Sequence, residues 1–128
     1  VTVPGEKPDE WTVENHLGKD SSGRRERSVA VTSGGDHALT EFTIKTRLED
    51  GLVIEAKPFT GRMHQIRVHL AASGIPIIGD ALYGGPRHWR GQKASRMLLH
   101  AWKLELPHPV TGEPLCIESE LPPEFCLE

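Results

Sequence analysis

The apolar pattern of this chain changes period at Thr60-Gly61, and that change restricts its fold more than any other feature. Upstream, "SVAVT" (28–32), "HALTEFTIKTRL" (37–48) and "LVIEAKPF" (52–59) alternate apolar and polar residues, as strands with one buried face do. Glu49-Asp50-Gly51 supplies a turn between the last two, so these segments predict an antiparallel meander. Downstream, Met63, Ile66 and Leu70 recur at i, i+3 and i+7, with Val68, Ala71 and Ala72 widening the stripe. Thr60 is placed to cap a helix, and Gly74 followed by Pro76 is placed to stop it, which predicts about ten helical residues within Thr60 to Gly74. The expected class is α+β: a mixed, mainly antiparallel sheet covered by that helix.

The remaining segments are simpler. Pro4, Gly5 and Pro8 make residues 1–10 an irregular lead-in, and "WTVENHL" (11–17) reads as a short strand. "KDSSGRRERS" (19–28) reads as a loop whose Arg24, Arg25 and Arg27 form a solvated turn, and "GGPRHWRGQKAS" (84–95) as a long polar loop. "RMLLHAWKLEL" (96–106) and "EPLCIESEL" (113–121) read as two further strands around a "PHPVTGE" turn. With 128 residues the chain is expected to form one domain or a large part of one. A first residue that is not Met and a terminal Leu127-Glu128 suggest an excised piece. No window approaches the ~18 apolar residues of a membrane helix and no leader pattern opens the chain, so a cytoplasmic location is the default expectation. Cys116 and Cys126 lack CxxC or His spacing and read as two reduced thiols.

The net charge of −3 conceals a division along the chain. Residues 1–56 carry −4, residues 57–103 carry +7 and residues 104–128 carry −6. A basic block between acidic ones is expected where one face meets a polyanion, which points to nucleic acid. Within that block, "TGRMHQIRVHLAASGIPIIGD" (60–80) holds two arginines and two histidines, with one carboxylate only at its far end. Arg67 has no acid one helical turn away, and a half-buried guanidinium without a carboxylate is costly, so Arg67 is expected to clamp an acid supplied from elsewhere. His64 and His69 are five apart without the Glu of an HExxH site, so no metal is expected. Walker, dinucleotide and nucleophile-elbow patterns are absent, so neither nucleotide cofactors nor serine hydrolysis is indicated.

"ALTEF" (38–42), "KPFTGRMHQIRVHLAASGIPIIGDALYGG" (57–85) and "RMLLHAWKLELPHPVTGEPL" (96–115) together resemble the C-terminal half of the catalytic domain of RluA-like pseudouridine synthases, of the RluA/RsuA superfamily. The resemblance implies isomerisation of selected uridines in ribosomal or transfer RNA without metal or cofactor. It also implies that Arg67 pairs with the catalytic aspartate, that His64 and Gln65 brace the motif, and that Arg62 contacts phosphate or backbone. Leu99 resembles an apolar residue of the uracil pocket, while Asp80 and Tyr83 of "GDALYG" resemble turn and packing residues.

The catalytic aspartate of that family lies in a segment like "HRLDxxTSG", and Asp9, Asp20, Asp36, Asp50 and Asp80 all lack this setting. The sole tyrosine, Tyr83, lies in a different motif from the family's base-stacking tyrosine. The expectation is that residues 1–128 are the C-terminal portion of a catalytic domain, inactive alone and able to dimerise through the surface its other section would cover. The competing expectation is a non-catalytic RNA-binding module derived from the same family.

Overall fold

A computed structural model of the chain describes residues 1–23, 25–107 and 110–120. Four strands form the main sheet: β1 (Glu10–Asp20), β2 (Arg27–Ala30), β3 (Asp36–Leu48) and β4 (Gly51–Pro58), in the order β2-β1-β3-β4. Each neighbouring pair is antiparallel. The expected α+β class is therefore found, but the expected meander holds only for β3 and β4: β1, longer than "WTVENHL" suggested, inserts between β2 and β3, so "SVAVT" pairs with β1 instead of β3. Cross-strand partners share a face, so the register Trp11↔Phe42, Val13↔Thr40, Asn15↔Ala38 gathers Ala38, Thr40 and Phe42 on one side. All three are fully buried there, and the Trp11 and Phe42 rings stack at 5.2 Å. A register shift between Ile44 and Thr46 bends β3 just beyond this patch.

The helix α1 (Gln65–Ala72) crosses that side of the sheet. It is shorter than the 60–74 stretch suggested, because Thr60 is not its cap. The Thr60 hydroxyl donates to Gln65 Oε1 (2.6 Å) and accepts the Leu39 N–H (3.1 Å), which ties the approach to the helix to β3. The N-cap is His64, held at φ 53, a left-handed conformation rare outside glycine and asparagine. The inward face carries Gln65, Val68, His69 and Leu70, while Met63 stays outside the helix and Ile66 is half-buried. Apolar periodicity misplaced this face because two of its four inward residues are polar.

Beyond α1, residues 75–80 run through the middle of the core. Ile75, Ile77 and Ile78 pack with Val1, Phe42, Leu52, Leu70 and Leu98. Backbone bonds fasten this segment on both sides: Val3 N–H to Pro76 O, Ile78 N–H to Val1 O, and Leu98 N–H to Ile78 O. A 3-10 turn (Ala81–Tyr83) follows. The polar 84–95 segment contains a small hairpin, β5 (His88–Trp89) with β6 (Gln92–Lys93), pinned by the Trp89 indole N–H to Asp50 O at 3.1 Å. β7 (Lys103–Pro107) and β8 (Pro114–Glu118) form a separate hairpin, so only the second half of "RMLLHAWKLEL" is strand. His108 and Pro109 of the expected turn, Arg24 and Cys126 lie outside the described residues. The Cys116 thiol is exposed and unpaired in a disulfide. No helix among the described residues is long and apolar enough to cross a membrane.

Candidate functional site

Arg67 has an acid after all, and it belongs to this chain. Arg67 Nε donates to Asp80 Oδ2 at 3.0 Å and Nη2 to Asp80 Oδ1 at 2.7 Å, a two-pronged pair. The Asp80 side chain is 1% exposed and that of Arg67 18%. No acid lies one helical turn from Arg67; this one comes from outside the helix. Asp80 thereby does more than the turn and packing duties the resemblance implied. The reason is topological: thirteen residues separate the two in sequence, but the core segment 75–78 doubles back under α1 and delivers Asp80 to its side. The signal was present, since Asp80 is the one carboxylate of the 57–103 block.

Two glycines make that delivery feasible. Gly79 sits at φ 88, where a Cβ would approach the Arg96 carbonyl oxygen to 2.7 Å. A Cβ at Gly85 would lie 1.9 Å from the Ile77 carbonyl oxygen, and the Gly85 N–H instead reaches Asp80 O at 2.7 Å. The turn closes because both side chains are missing.

Tyr83 is also more than packing. Its hydroxyl accepts the Ser28 N–H of β2 (2.8 Å) and lies 2.8 Å from His64 Nδ1. The phenol donates to Nδ1 in the tautomer protonated at Nε2, and accepts from it through its second lone pair in the other tautomer. Burial and then the nearby Arg67 charge lower the His64 pKa, which agrees with a neutral ring. The Arg67 guanidinium lies 5.0 Å above the Tyr83 ring. Ser28 closes the set with a hydroxyl bond to the Met63 carbonyl.

His64 and Gln65, expected to brace the motif, contact different partners. The Gln65 amide oxygen accepts from Thr60 Oγ1 and from the Arg62 N–H (3.1 Å), while its nitrogen donates to Leu39 O (2.9 Å) and Thr40 Oγ1 (2.9 Å). The fully buried Thr40 hydroxyl then donates to His69 Nδ1 at 2.7 Å, and His69 Nε2–H donates to Asn15 Oδ1 at 2.8 Å. His69 thus spends both ring nitrogens inside the protein, and burial lowers its pKa.

The other expected residues are more dispersed. Arg62 is exposed and bonds the His37 carbonyl through Nε at 2.7 Å, so part of its donor capacity is structural. Leu99 is half-buried against the main core beside Met97. Arg90 stacks on Trp89 and forms an ion pair with Asp50 at 2.7 Å. The arrangement around Arg67 is a guanidinium locked on one edge. Of its five N–H donors two go to Asp80, and among the described residues nothing accepts from Nη1.

A scan against protein-family models finds no match. Two curated relatives are the ribosomal large subunit pseudouridine synthase D of Neisseria meningitidis, 34% identical over 92% of this chain and 33% of that protein, and the ribosomal large subunit pseudouridine synthase C of Pasteurella multocida, 41% identical over 78% of this chain and 32% of that protein. The chain therefore spans about a third of the length of the curated relatives it matches. Among solved structures, human RNA pseudouridylate synthase domain containing 1 superposes with a TM-score of 0.72 at 28% identity, over 93% of this chain and 51% of that one. By sequence and by fold, this chain belongs to the RluA-like pseudouridine synthases.

Proposed function

We propose that these residues form the C-terminal part of an RNA pseudouridine synthase acting on ribosomal or transfer RNA in the cytoplasm, with Arg67 as the group that holds a catalytic aspartate lying outside residues 1–128. The observation that carries this reading is the asymmetry of Arg67. One edge of its guanidinium is locked to buried Asp80, and among the described residues Nη1 donates to no acceptor, which leaves its donors for a second carboxylate. A guanidinium stays protonated at physiological pH, so it cannot attack or take a proton; it can orient an anion and stabilise negative charge. Isomerising uridine breaks the bond from C1′ of the sugar to N1 of the base and forms one from C1′ to C5. Attack or deprotonation therefore falls to the aspartate.

Asp80 does not fill that role in this reading. It is buried, doubly engaged with Arg67 and turned away from solvent. The 128 residues alone should therefore make no pseudouridine. In the full-length protein Arg67→Lys should abolish turnover while RNA binding survives, because a lysine cannot hold two carboxylates on two edges of one plane. Product formation at saturating RNA, beside an equilibrium binding curve, is the measurement. Near-normal turnover by Arg67→Lys would remove Arg67 from this role.

The non-catalytic alternative predicts RNA binding with no turnover in the full-length protein as well. Dimerisation of the 128-residue chain, through an edge strand such as β4 with exposed Phe59 at its end, is part of the fragment reading. A sedimentation experiment showing only monomer would count against it.

A further inference from the structure

Between the β1–β2 hairpin and the 3-10 turn lies an open concavity of about 510 Å³, walled by Ser22, Arg25 and Arg27 on one side and by Leu82 and Arg87 on the other. Chain charge alone would not reveal it. Arg25 and Arg27 belong to the acidic N-terminal block and read as a solvated turn, yet the hairpin folds them across from Arg87 of the basic block. The carboxylate on its wall, Asp20, is occupied with holding the hairpin. Its Oδ1 takes the Ser22 N–H (3.0 Å) and hydroxyl (2.6 Å), and its Oδ2 takes Arg27 Nε at 3.4 Å. Arg25 and Arg87 are exposed, and neither guanidinium enters a hydrogen bond or ion pair among the described residues. Three guanidinium groups from two separate elements thus face one another around a single, already engaged carboxylate.

We propose that this concavity is a cradle for the sugar–phosphate backbone of the RNA, with Arg25 and Arg87 as its open prongs. The proposal rests on the function argued above and adds where the strand is gripped. Phosphodiester oxygens suit it because forked donors on opposite walls can each take a phosphate. The cradle also adjoins the Arg67 site. Arg27 precedes Ser28, whose N–H bonds the Tyr83 hydroxyl, and the Tyr83 ring lies under Arg67. Ser28 and Tyr83 thus connect the wall of the cradle to Arg67 through direct contacts.

The test uses the 128-residue chain, a fluorescein-labelled RNA hairpin and its single-stranded counterpart, with anisotropy titrations from about 50 to about 200 mM salt. Arg25→Gln combined with Arg87→Gln should lower the magnitude of the log–log salt slope by about 1.4 to 1.8 and weaken binding roughly thirtyfold near 0.1 M salt. Both side chains are exposed and unpaired, so the thermal midpoint should not move. The control is Lys7→Gln with Lys45→Gln, at the opposite end of the sheet, which should leave the slope unchanged. A wild-type chain that binds RNA with a slope unaffected by the Arg25/Arg87 pair overturns the cradle and leaves the family reading intact. Equal losses in both double variants reduce the effect to overall charge and overturn it too. A wild-type chain with no RNA affinity removes the RNA reading of this chain along with the cradle.

Discussion

Two aspartate–arginine pairs in this chain have the same chemistry and opposite consequences. Arg67–Asp80 is two-pronged at 2.7 and 3.0 Å with side chains 18% and 1% exposed. Arg27–Asp20 is a single contact at 3.4 Å with side chains 45% and 25% exposed. Burial turns the first into a fixed direction, because neither partner can exchange the other for water. Exposure leaves the second exchangeable, so its arginine stays available to a polyanion passing over the surface. A site that must aim a charge and a surface that must slide along one call for these two kinds of pair respectively.

The comparison breaks most sharply on the carboxylates. Asp80→Ala leaves the Arg67 charge half-buried without its partner and should cost about 3 to 5 kcal/mol of unfolding free energy. Urea denaturation of the 128-residue chain reads it. Asp20→Ala, which frees only local bonds at a solvent-exposed hairpin tip, should shift the urea midpoint far less. Equal effects would mean that burial does not distinguish the pairs.

A second variant asks whether the buried pair is held only by its own bonds. Tyr83→Phe keeps the ring beneath Arg67 and removes the hydroxyl that joins the Ser28 N–H to His64 Nδ1. The Ser28 N–H is left without that acceptor in a residue 3% exposed, so the loss should be about 1 to 3 kcal/mol. Combined with Asp80→Ala, the two losses should be less than additive, since both loosen the same guanidinium. Full additivity in the double-mutant cycle would separate Tyr83 from the Arg67 lock.

Much of the scaffold was legible because its signals are local. Alternation in "HALTEFTIKTRL" and "LVIEAKPF" identified β3 and β4, and Glu49-Asp50 their turn, since a half-buried strand writes its pattern in every second residue. The helix was legible in existence but not in its start or its face. His64 enters in a left-handed conformation no propensity rule favours, and Gln65 and His69 turn inward toward Thr40 and Asn15, partners 25 to 54 residues away in sequence. Arg67 was legible as a cation without a local partner, and Asp80 was missed because an i±4 search cannot see a carboxylate that returns by way of the irregular core segment 75–78. The Arg25 and Arg87 juxtaposition lay equally beyond reach, being created by a hairpin and a turn 62 residues apart.

The last test asks how much of the buried side depends on a neutral His69. Gln65 donates to the Thr40 oxygen, Thr40 donates to His69 Nδ1, and His69 Nε2–H donates to Asn15 Oδ1. A second proton on the ring would face the Thr40 hydroxyl, force it to turn and place a charge in a residue with 0% exposure. Burial accordingly lowers the folded-state pKa below the ordinary 6.5. Between the folded and unfolded values the unfolded chain binds more protons, so stability is fully present above about pH 6.5 and falls as the pH drops through the folded value. The slope for one proton cannot exceed about 1.4 kcal/mol per pH unit. His64 contributes with the same sign, and the Val1 amino group, lowered by burial to about 6, does so in the higher window between 8.0 and 6. The His69 share is therefore the difference in slope between the wild-type chain and His69→Asn, from urea midpoints taken between about pH 7 and about pH 5. The variant should be less stable at pH 7 and lose less on acidification. Parallel pH profiles for the two proteins would show that His69 titrates alike in both states, and the inward face of α1 would then not depend on its neutrality.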